Sequence, residues 1–245
     1  MCNIEYSILY NSISYVAIDR ITLGILFFNI DTKECRFVST KNWKRVASFN
    51  DELDIDLIKL QLLGINEEIH DIAKGPDFSL NKYTKFYVND LKFTKAISLQ
   101  VDSFDKFISE CVLQYLPHDY SKDKRPSVKE QLSFIKRCLK DSDIEYSSAK
   151  IKGYFEENVQ FDFIIGEYAF KIFRFEGRQP SRLISSVKDW AYTALKSNSK
   201  YKVIFVTDKD FEADEDYKTL YAILKEDSYK LLNFTQLLEF IKSII

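Results

Sequence analysis

The sequence predicts a protein of the mixed α/β (α+β) class with two domains. Of its 245 residues, 46% are apolar and 29% are charged, with few Gly and Pro, which is typical of a folded globular chain. Strand-like apolar runs alternate with segments of helical periodicity in both halves. A polar segment bounded by prolines separates the halves, so we predict one domain over residues 1–118, a linker over 119–126 and a second domain over 127–245.

The elements of the first domain follow from their hydrophobic patterns. Short apolar runs predict strands, and Leu and Ile recurring every three to five residues predict a long helix that ends at the Gly75-Pro76 breaker. In chain order, the predicted elements are strands at 6–10, 21–28 and 34–39, a helix from 51 to Gly75, a strand at 97–99 and a helix at 104–115.

The second domain opens with a capping box, in which Ser127 precedes Glu130, directly after Pro126. The remaining predicted elements are strands at 149–155, 159–165 and 168–175, a helix from 180, a strand at 201–207, a helix around 220–224, a strand at 229–232 and a helix at 234–245. A strand meander followed by a strand-helix-strand crossover predicts a mixed sheet with helices on its faces.

Charge and cysteine content limit the classes of function. The net charge is −2, and residues 121–245 carry 22 Lys and Arg against 20 Asp and Glu, so nucleic-acid binding is allowed but not indicated by charge. The four cysteines are far apart, and we expect neither a zinc site nor disulfides, and a reducing compartment. No apolar run approaches the ~20 residues that span a bilayer, so we expect a cytoplasmic protein without a membrane partner.

The stretch VQFDFIIGEYAFKIF, at residues 159–173, carries the strongest candidate chemistry. A two-residue turn at Gly166-Glu167 sets the register of a hairpin. The predicted cross-strand pairs are Ile165 with Tyr168, Ile164 with Ala169, Phe163 with Phe170, Asp162 with Lys171 and Phe161 with Ile172. Asp162 and Lys171 are therefore expected to form a salt bridge on one face of the hairpin.

A leading helix, this hairpin and the following crossover together resemble the restriction-endonuclease-like fold, the PD-(D/E)xK superfamily. The resemblance covers roughly the second half of the chain. It implies an acid on the second strand and an acid two residues before a lysine on the third, which bind a divalent metal while the lysine positions water. Asp162 matches the first acid and Lys171 matches the lysine, but Ala169 stands where the family has Asp or Glu.

An active magnesium-dependent nuclease would need other carboxylates beside Asp162, its candidate metal ligand. Glu167 shares the strand parity of Lys171, and Glu130 lies on the leading helix, where some family members carry an extra acid. We favour a structural interpretation of both, with Glu167 as a turn residue facing water and Glu130 as the capping-box partner of Ser127. We therefore expect no cofactor, with Mg²⁺ implied only if the protein is catalytically active.

Basic residues form two groups, one on the helix after the linker and one after the hairpin. Solvated helix faces often have this composition, so a structural interpretation is favoured. If nucleic acid binds, the residues expected to contact phosphates are Lys129, Lys136, Arg137, Arg174, Arg178 and Arg182.

The first half resembles an uncharacterised bacterial domain of unknown function. The resemblance rests on YSILY at 6–10, ITLGILFF at 21–28 and RFVSTKNWKRV at 36–46, although Thr22 replaces the usual Asn and Tyr10 the usual Arg. Such domains are encoded near HipA-like kinases or on mobile elements. The resemblance therefore implies a role in phage defence (antiviral defence) or in a toxin-antitoxin pair.

Three functions follow from these observations. The favoured hypothesis is a non-catalytic nuclease-fold protein that binds nucleic acid, or a protein encoded in the same operon, within such a system. The first alternative is an active magnesium-dependent PD-(D/E)xK nuclease that uses Asp162, Lys171 and Glu167 or Glu130. The second alternative is a pure protein-interaction component or inhibitor encoded by a mobile element.

Overall fold

The protein has a mixed α/β structure, as the sequence predicts. The computed structural model describes residues 1–12, 20–175, 177–197, 200–208 and 217–244. Its contacts divide the chain into two compact units, Met1–Ser142 and Asp143–Ile245. Within the described residues, no helix is both long enough and apolar enough to cross a membrane.

An antiparallel sheet forms the centre of the first unit. Its strands are β1 (Cys2–Ser12), β2 (Arg20–Asn29), β3 (Cys35–Ser39), β4 (Leu91–Phe93) and β5 (Ile97–Val101). The order is β3-β2-β1-β4, and β5 pairs with the other end of the same edge of β1. From Ile21 to Asn29, β2 is buried at every position, so helices must cover both faces of the sheet.

The helices of the first unit divide between those two faces. They are α1 (Trp43–Phe49), α2 (Ile55–Ile72), α3 (Leu80–Thr84), α4 (Phe104–Tyr115) and α5 (Val128–Asp141). Leu62 and Ile65 of α2 pack against Leu23 on one face. On the other face, the Phe107 ring of α4 lies 5.5 Å from that of Tyr6. The sequence predicts α2, α4 and α5 but misses α1, α3 and β4, which are all seven residues or shorter.

Helix α5 belongs to the first unit. The Phe134 ring stacks on Phe107 at 6.2 Å and meets Tyr115 edge-on at 6.4 Å, and Arg137 forms an ion pair with Glu110 of α4. The predicted domain boundary at 119–126 assigns this helix to the second half of the chain. The two divisions differ by this one helix because its apolar face packs against α4.

A four-stranded mixed sheet forms the centre of the second unit. The elements in chain order are β6 (Ile151–Lys152), β7 (Asn158–Val159), β8 (Phe163–Ile165), β9 (Tyr168–Phe173), α6 (Pro180–Ser197), β10 (Lys202–Thr207), α7 (Lys218–Asp227), β11 (Lys230–Asn233) and α8 (Phe234–Ile244). Strand order is β11-β10-β9-β8. β8 and β9 are antiparallel, whereas β9, β10 and β11 run parallel and are joined by the α6 and α7 crossovers.

Both faces of this sheet are covered. Ala169 and Phe205 belong to a core cluster that also contains Val187 of α6 and Leu224 of α7. On the opposite face, the Phe170 ring lies 6.4 Å from the Phe240 ring of α8. Polar side chains of the sheet can therefore reach solvent mainly at the strand ends.

Two predicted strands are shorter than expected. The strand predicted at 149–155 is reduced to β6, because the chain turns at Gly153, whose N–H donates to the Glu157 carbonyl at 2.8 Å. The strand predicted at 159–165 is interrupted between β7 and β8. The interruption ends at Asp162, whose side chain takes over a backbone hydrogen bond of the ladder.

The capping box of α5 provides a test of local stability. Ser127 Oγ accepts a hydrogen bond from the Glu130 N–H, and Glu130 Oε2 accepts from the Ser127 N–H at 2.7 Å. Ser127→Ala should lower the free energy of unfolding by about 1 kcal/mol, measured by urea denaturation. Ser133→Ala, at an exposed position within the same helix, is the matched control and should not destabilise the protein. Equal stability of Ser127→Ala and the unmodified protein would contradict the role of the cap.

Candidate functional site

Asp162 and Lys171 form an ion pair beside the hairpin of β8 and β9. The Lys171 Nζ lies 3.2 Å from Asp162 Oδ2, and the two side chains are only 21% and 22% exposed. Asp162 Oδ2 also accepts a hydrogen bond from the Ile172 N–H at 2.8 Å, while its own N–H donates to the Phe170 carbonyl at 2.9 Å. The predicted salt bridge is confirmed, and the carboxylate additionally replaces a backbone acceptor at the end of the ladder.

An aromatic side chain completes the surroundings of Lys171. Its Nζ lies 4.6 Å from the centre of the Trp190 ring of α6. The Phe161 ring packs against Trp190 at 5.4 Å. A cation over an indole ring contributes about 0.5–2 kcal/mol, depending on how dry the site is. The ammonium is therefore held both by a carboxylate and by an aromatic face.

The register of the hairpin is largely as predicted. Gly166 takes a positive φ of 54°, and the ladder pairs Ile165 with Tyr168, Ile164 with Ala169 and Phe163 with Phe170. The predicted pairing of Phe161 with Ile172 is wrong. The ladder ends before it, because the Ile172 N–H is taken by the Asp162 side chain, and Phe161 turns into the core cluster that contains Ile164 and Ala169.

Ala169 lies two residues before Lys171, where the nuclease motif requires an acid. It is fully buried in the core cluster with Val203 and Phe205 of β10. A carboxylate at this position would lose its hydration among apolar neighbours. The packing of the sheet therefore accounts for the alanine.

Glu167 lies at the turn and forms an ion pair with Lys202. Its Oε1 is 2.6 Å from the Nζ of Lys202, and its side chain is 56% exposed. This hydrogen bond raises the pKa of Lys202 above its ordinary value. Lys171 lies four positions after Glu167, which places their Cα atoms about 13 Å apart along an extended chain. The structure therefore does not bring Glu167 together with the Asp162 carboxylate.

Glu130 belongs to the first unit and serves the capping box of α5. Ser127 Oγ and the Ser127 N–H both donate to Glu130 Oε2 at 2.7 Å, and these hydrogen bonds hold the pKa of the carboxyl below its usual value. The predicted structural role is confirmed. Within the described ranges, no group of three or more His, Cys, Asp or Glu side chains lies close enough together to hold a metal ion.

The predicted phosphate-binding residues fall into two groups. Arg174, Arg178 and Arg182 are exposed between the end of β9 and the first turn of α6. This connection is anchored, because the Phe175 N–H donates to Asp208 Oδ1 at 2.7 Å and the Tyr217 hydroxyl donates to the Arg178 carbonyl at 2.5 Å. The structure thus exposes three guanidinium groups at the described positions of this connection and at the start of α6.

The other three predicted residues lie on α5 of the first unit. Lys129 and Arg137 are exposed and Lys136 is half-buried. The Arg137 guanidinium pairs with Glu110 and lies 5.6 Å from the centre of the Phe134 ring. Arg137 therefore already has a structural partner in α4.

An exposed aromatic cluster was missed by the sequence analysis. Tyr154 and Phe155 lie at the tip between β6 and β7, are 64% and 66% exposed, and meet edge-on at 4.9 Å. The Nζ of Lys196 lies 4.9 Å from the Tyr154 ring and 5.6 Å from that of Tyr192, which is also exposed. We name Tyr154, Phe155, Tyr192 and Lys196 the aromatic tip. In the sequence, Gly153 directly before Tyr154 and Phe155 was the signal that could have indicated a turn here.

The ion pair can be tested by a double-mutant cycle. Lys171→Met keeps the aliphatic stem on Trp190 but leaves the Asp162 carboxylate half-buried without its cation, so the free energy of unfolding should fall by about 1–3 kcal/mol. Asp162→Asn keeps an acceptor for the Ile172 N–H. The double variant should be more stable than the sum of the two single losses by at least about 0.5 kcal/mol in urea denaturation. Additive losses would show that the pair is not coupled.

No family model matches this chain, and neither a curated protein nor a solved structure matches it. The resemblances to a nuclease fold and to a bacterial domain therefore rest on the residues and the strand order described above.

Proposed function

We propose that this chain is a non-catalytic nuclease-fold protein that binds nucleic acid in the cytoplasm, as a component of a phage-defence or toxin-antitoxin system. The second unit supports the fold assignment. An antiparallel hairpin, β8 and β9, leads through the α6 crossover to the parallel strand β10. Ser147 adds an isolated antiparallel bridge to Ile164 at the outer edge of β8.

The Asp162–Lys171 pair is the observation that carries the non-catalytic part of the proposal. Mg²⁺ in nucleases is held by carboxylates together with substrate phosphates and several waters. Here a metal ion would have to displace the Lys171 ammonium from Asp162 Oδ2. Ala169 offers no second ligand. The residues around Asp162 therefore do not fit a magnesium site, and we derive no hydrolytic step from them.

The surface of the second unit supports the nucleic-acid part of the proposal. Arg174, Arg178 and Arg182 can each contact a phosphate, and the exposed rings of the aromatic tip can stack on bases. Basic groups combined with exposed rings are typical of proteins that bind single-stranded nucleic acid. Arg182 and Lys196 lie at opposite ends of α6, about 21 Å apart at 1.5 Å per residue, so a strand of several nucleotides would have to run along this helix to contact both. Fixed positive charges close to the rings, such as Lys196, add attraction to the backbone.

The absence of catalysis has a direct test. Purified protein incubated with supercoiled plasmid, linear duplex or RNA in Mg²⁺ or Mn²⁺ should cleave no more than Asp162→Ala protein prepared in parallel. This variant removes the single carboxylate that matches the motif. Cleavage by the unmodified protein that disappears in Asp162→Ala would overturn the proposal in favour of an active PD-(D/E)xK nuclease.

Binding of nucleic acid should depend on both parts of the surface, and fluorescence anisotropy with labelled single-stranded DNA and RNA measures it. Affinity should fall as salt rises. Replacing Arg174, Arg178 and Arg182 together by Gln should reduce the slope of log K against log salt by about 2 for a single strand, since each phosphate contact contributes about 0.7. The matched control carries the same charge change at exposed lysines of the first unit, Lys41, Lys44 and Lys82, and should keep the slope.

The aromatic tip should behave differently in the same assay. Tyr154→Ala with Phe155→Ala should weaken binding by about tenfold or more, because each stacked base contributes about 1–3 kcal/mol, but it should leave the salt slope unchanged. An unchanged affinity would remove the tip from the interface. If no oligonucleotide binds at low salt, the nucleic-acid part of the proposal is wrong, and a protein-interaction role remains.

A further inference from the structure

A groove in the first unit lies outside the surfaces described so far. It runs between one face of α2 and the segment 86–91, and its volume is about 620 Å³. This volume is in the range of pockets that bind a compact ligand or a few side chains. Asn11 of β1 and Ile58 and Ile65 of α2 are buried residues that contribute to its lining.

The charged groups that line the groove all carry negative charge. They are Glu52, Asp54, Glu68 and Asp90. Asp54 caps the start of α2, whereas Glu68 accepts hydrogen bonds from the hydroxyls of Tyr83 and Tyr87. Burial raises the pKa of both phenols above the ordinary value, so they remain protonated donors. The Glu68 carboxylate is thereby held in position on the groove wall.

Asn11, one of the residues that line the groove, carries a buried acceptor without a donor. The residue is 1% exposed, and its Nδ2 donates to the Asp90 carbonyl at 3.1 Å, which fixes the orientation of the amide. Within the described residues, no donor reaches its buried Oδ1. A buried acceptor without a donor costs about 1–3 kcal/mol, and such groups in native proteins call for an explanation.

Gly64 marks an open stretch of the groove wall. It lies in the interior of α2 on the face that lines the groove, and a Cβ built there would meet no atom within 4 Å. Glycine inside a helix costs about 1 kcal/mol relative to alanine, and no close packing at this position requires it. Its effect is to leave space between Gln61 and Glu68, the neighbours one helical turn away on either side.

The rim of the groove is apolar and exposed. Leu57 of α2 and Phe86 and Val88 of the opposite wall all line the groove and are largely accessible to solvent. Exposed apolar residues that gather around a polar centre mark interaction sites more often than isolated ones do. The groove thus combines an apolar rim with charged lining groups that are all carboxylates.

We propose that this groove binds a peptide segment of a partner protein, in which an arginine or lysine is flanked by apolar residues. Charge complementarity selects the basic side chain, because every charged group of the lining is a carboxylate and a guanidinium group can donate to Glu68 or to Asp90. The flanking apolar residues would cover Leu57 and Phe86. This inference concerns the first unit, and it does not depend on the nucleic-acid role of the second.

Other occupants fit less well. The four carboxylates repel the phosphates of nucleic acid. A bare metal ion needs several converging ligands, and no such group occurs within the parts of the chain that the structure describes. A cationic side chain can pair with a carboxylate of the lining while its stem contacts apolar residues.

The test uses fluorescein-labelled peptides with the full-length protein. One set has a central arginine between leucine or phenylalanine residues, with glycine and serine at both ends. The matched set has citrulline, the neutral analogue, in place of arginine. The arginine set should bind the unmodified protein in anisotropy titrations, and the citrulline set should bind at least about tenfold more weakly. Equal binding of both sets, or no binding of the arginine set, would overturn the proposal.

Substitutions in the groove locate the binding. Gly64→Leu fills the open space with a better helix former, so the protein should keep its thermal unfolding midpoint while the affinity for arginine peptides falls by about tenfold or more. Glu68→Gln should weaken binding as well, whereas Glu67→Gln, on the same helix but outside the groove, should change it by less than about twofold. Unchanged affinity in both Gly64→Leu and Glu68→Gln would exclude this site.

A small-molecule control separates a peptide from a free cation. Arginine amide, which lacks the apolar flanks, should compete with the labelled peptides at least about tenfold less effectively than the unlabelled peptide does. If arginine amide competes equally well, the groove binds small cations and the peptide proposal is wrong. Because these variants lie in the first unit, oligonucleotide binding can be measured on the same proteins, which distinguishes failure of this inference from failure of the proposed function.

Discussion

The hydrogen bond between the Ile172 N–H and the Asp162 carboxylate determines how the second unit is built. A backbone carbonyl would normally accept from this N–H and continue the ladder. Since the side chain accepts instead, the pairing with β9 does not continue past Phe163 towards Phe161. The Phe161 ring packs against Trp190. The same carboxylate neutralises Lys171, which could not otherwise remain largely buried beside an apolar helix. The Asp162 side chain therefore accepts from the Ile172 N–H, ends the ladder beside Phe161 and pairs with the Lys171 ammonium.

Burial of the sheet on both faces explains why so little reactive chemistry remains in it. Ala169 and Val203 face α6 and α7, and Phe170 faces α8, so a further carboxylate in the strand interiors would require a partner that the packing does not leave room for. The exposed basic and aromatic side chains are consequently found at the periphery, on the connection after β9 and on the turn between β6 and β7.

Local patterns were sufficient to predict much of this fold. The Gly166 turn set three cross-strand pairs, and Ser127 with Glu130 marked the start of α5. The prediction failed at Phe161. Alternation of apolar and polar residues predicts a regular strand, but it does not reveal that the Asp162 side chain accepts the hydrogen bond that a backbone carbonyl would accept. It also interpreted Tyr154 as a strand residue, since apolar rings are usually buried. The groove in the first unit depends on residues from β1, α2 and the segment before β4, which no local pattern connects.

The packing of α5 has a consequence for dividing the chain experimentally. A fragment that stopped at the segment between Pro117 and Pro126 would retain every strand of the first sheet but would lose the helix that covers Phe107 and Tyr115. The uncovered rings would form an exposed apolar surface that favours aggregation. A truncation after Ser142 keeps this aromatic layer closed, so it is the cut at which each half retains its own core.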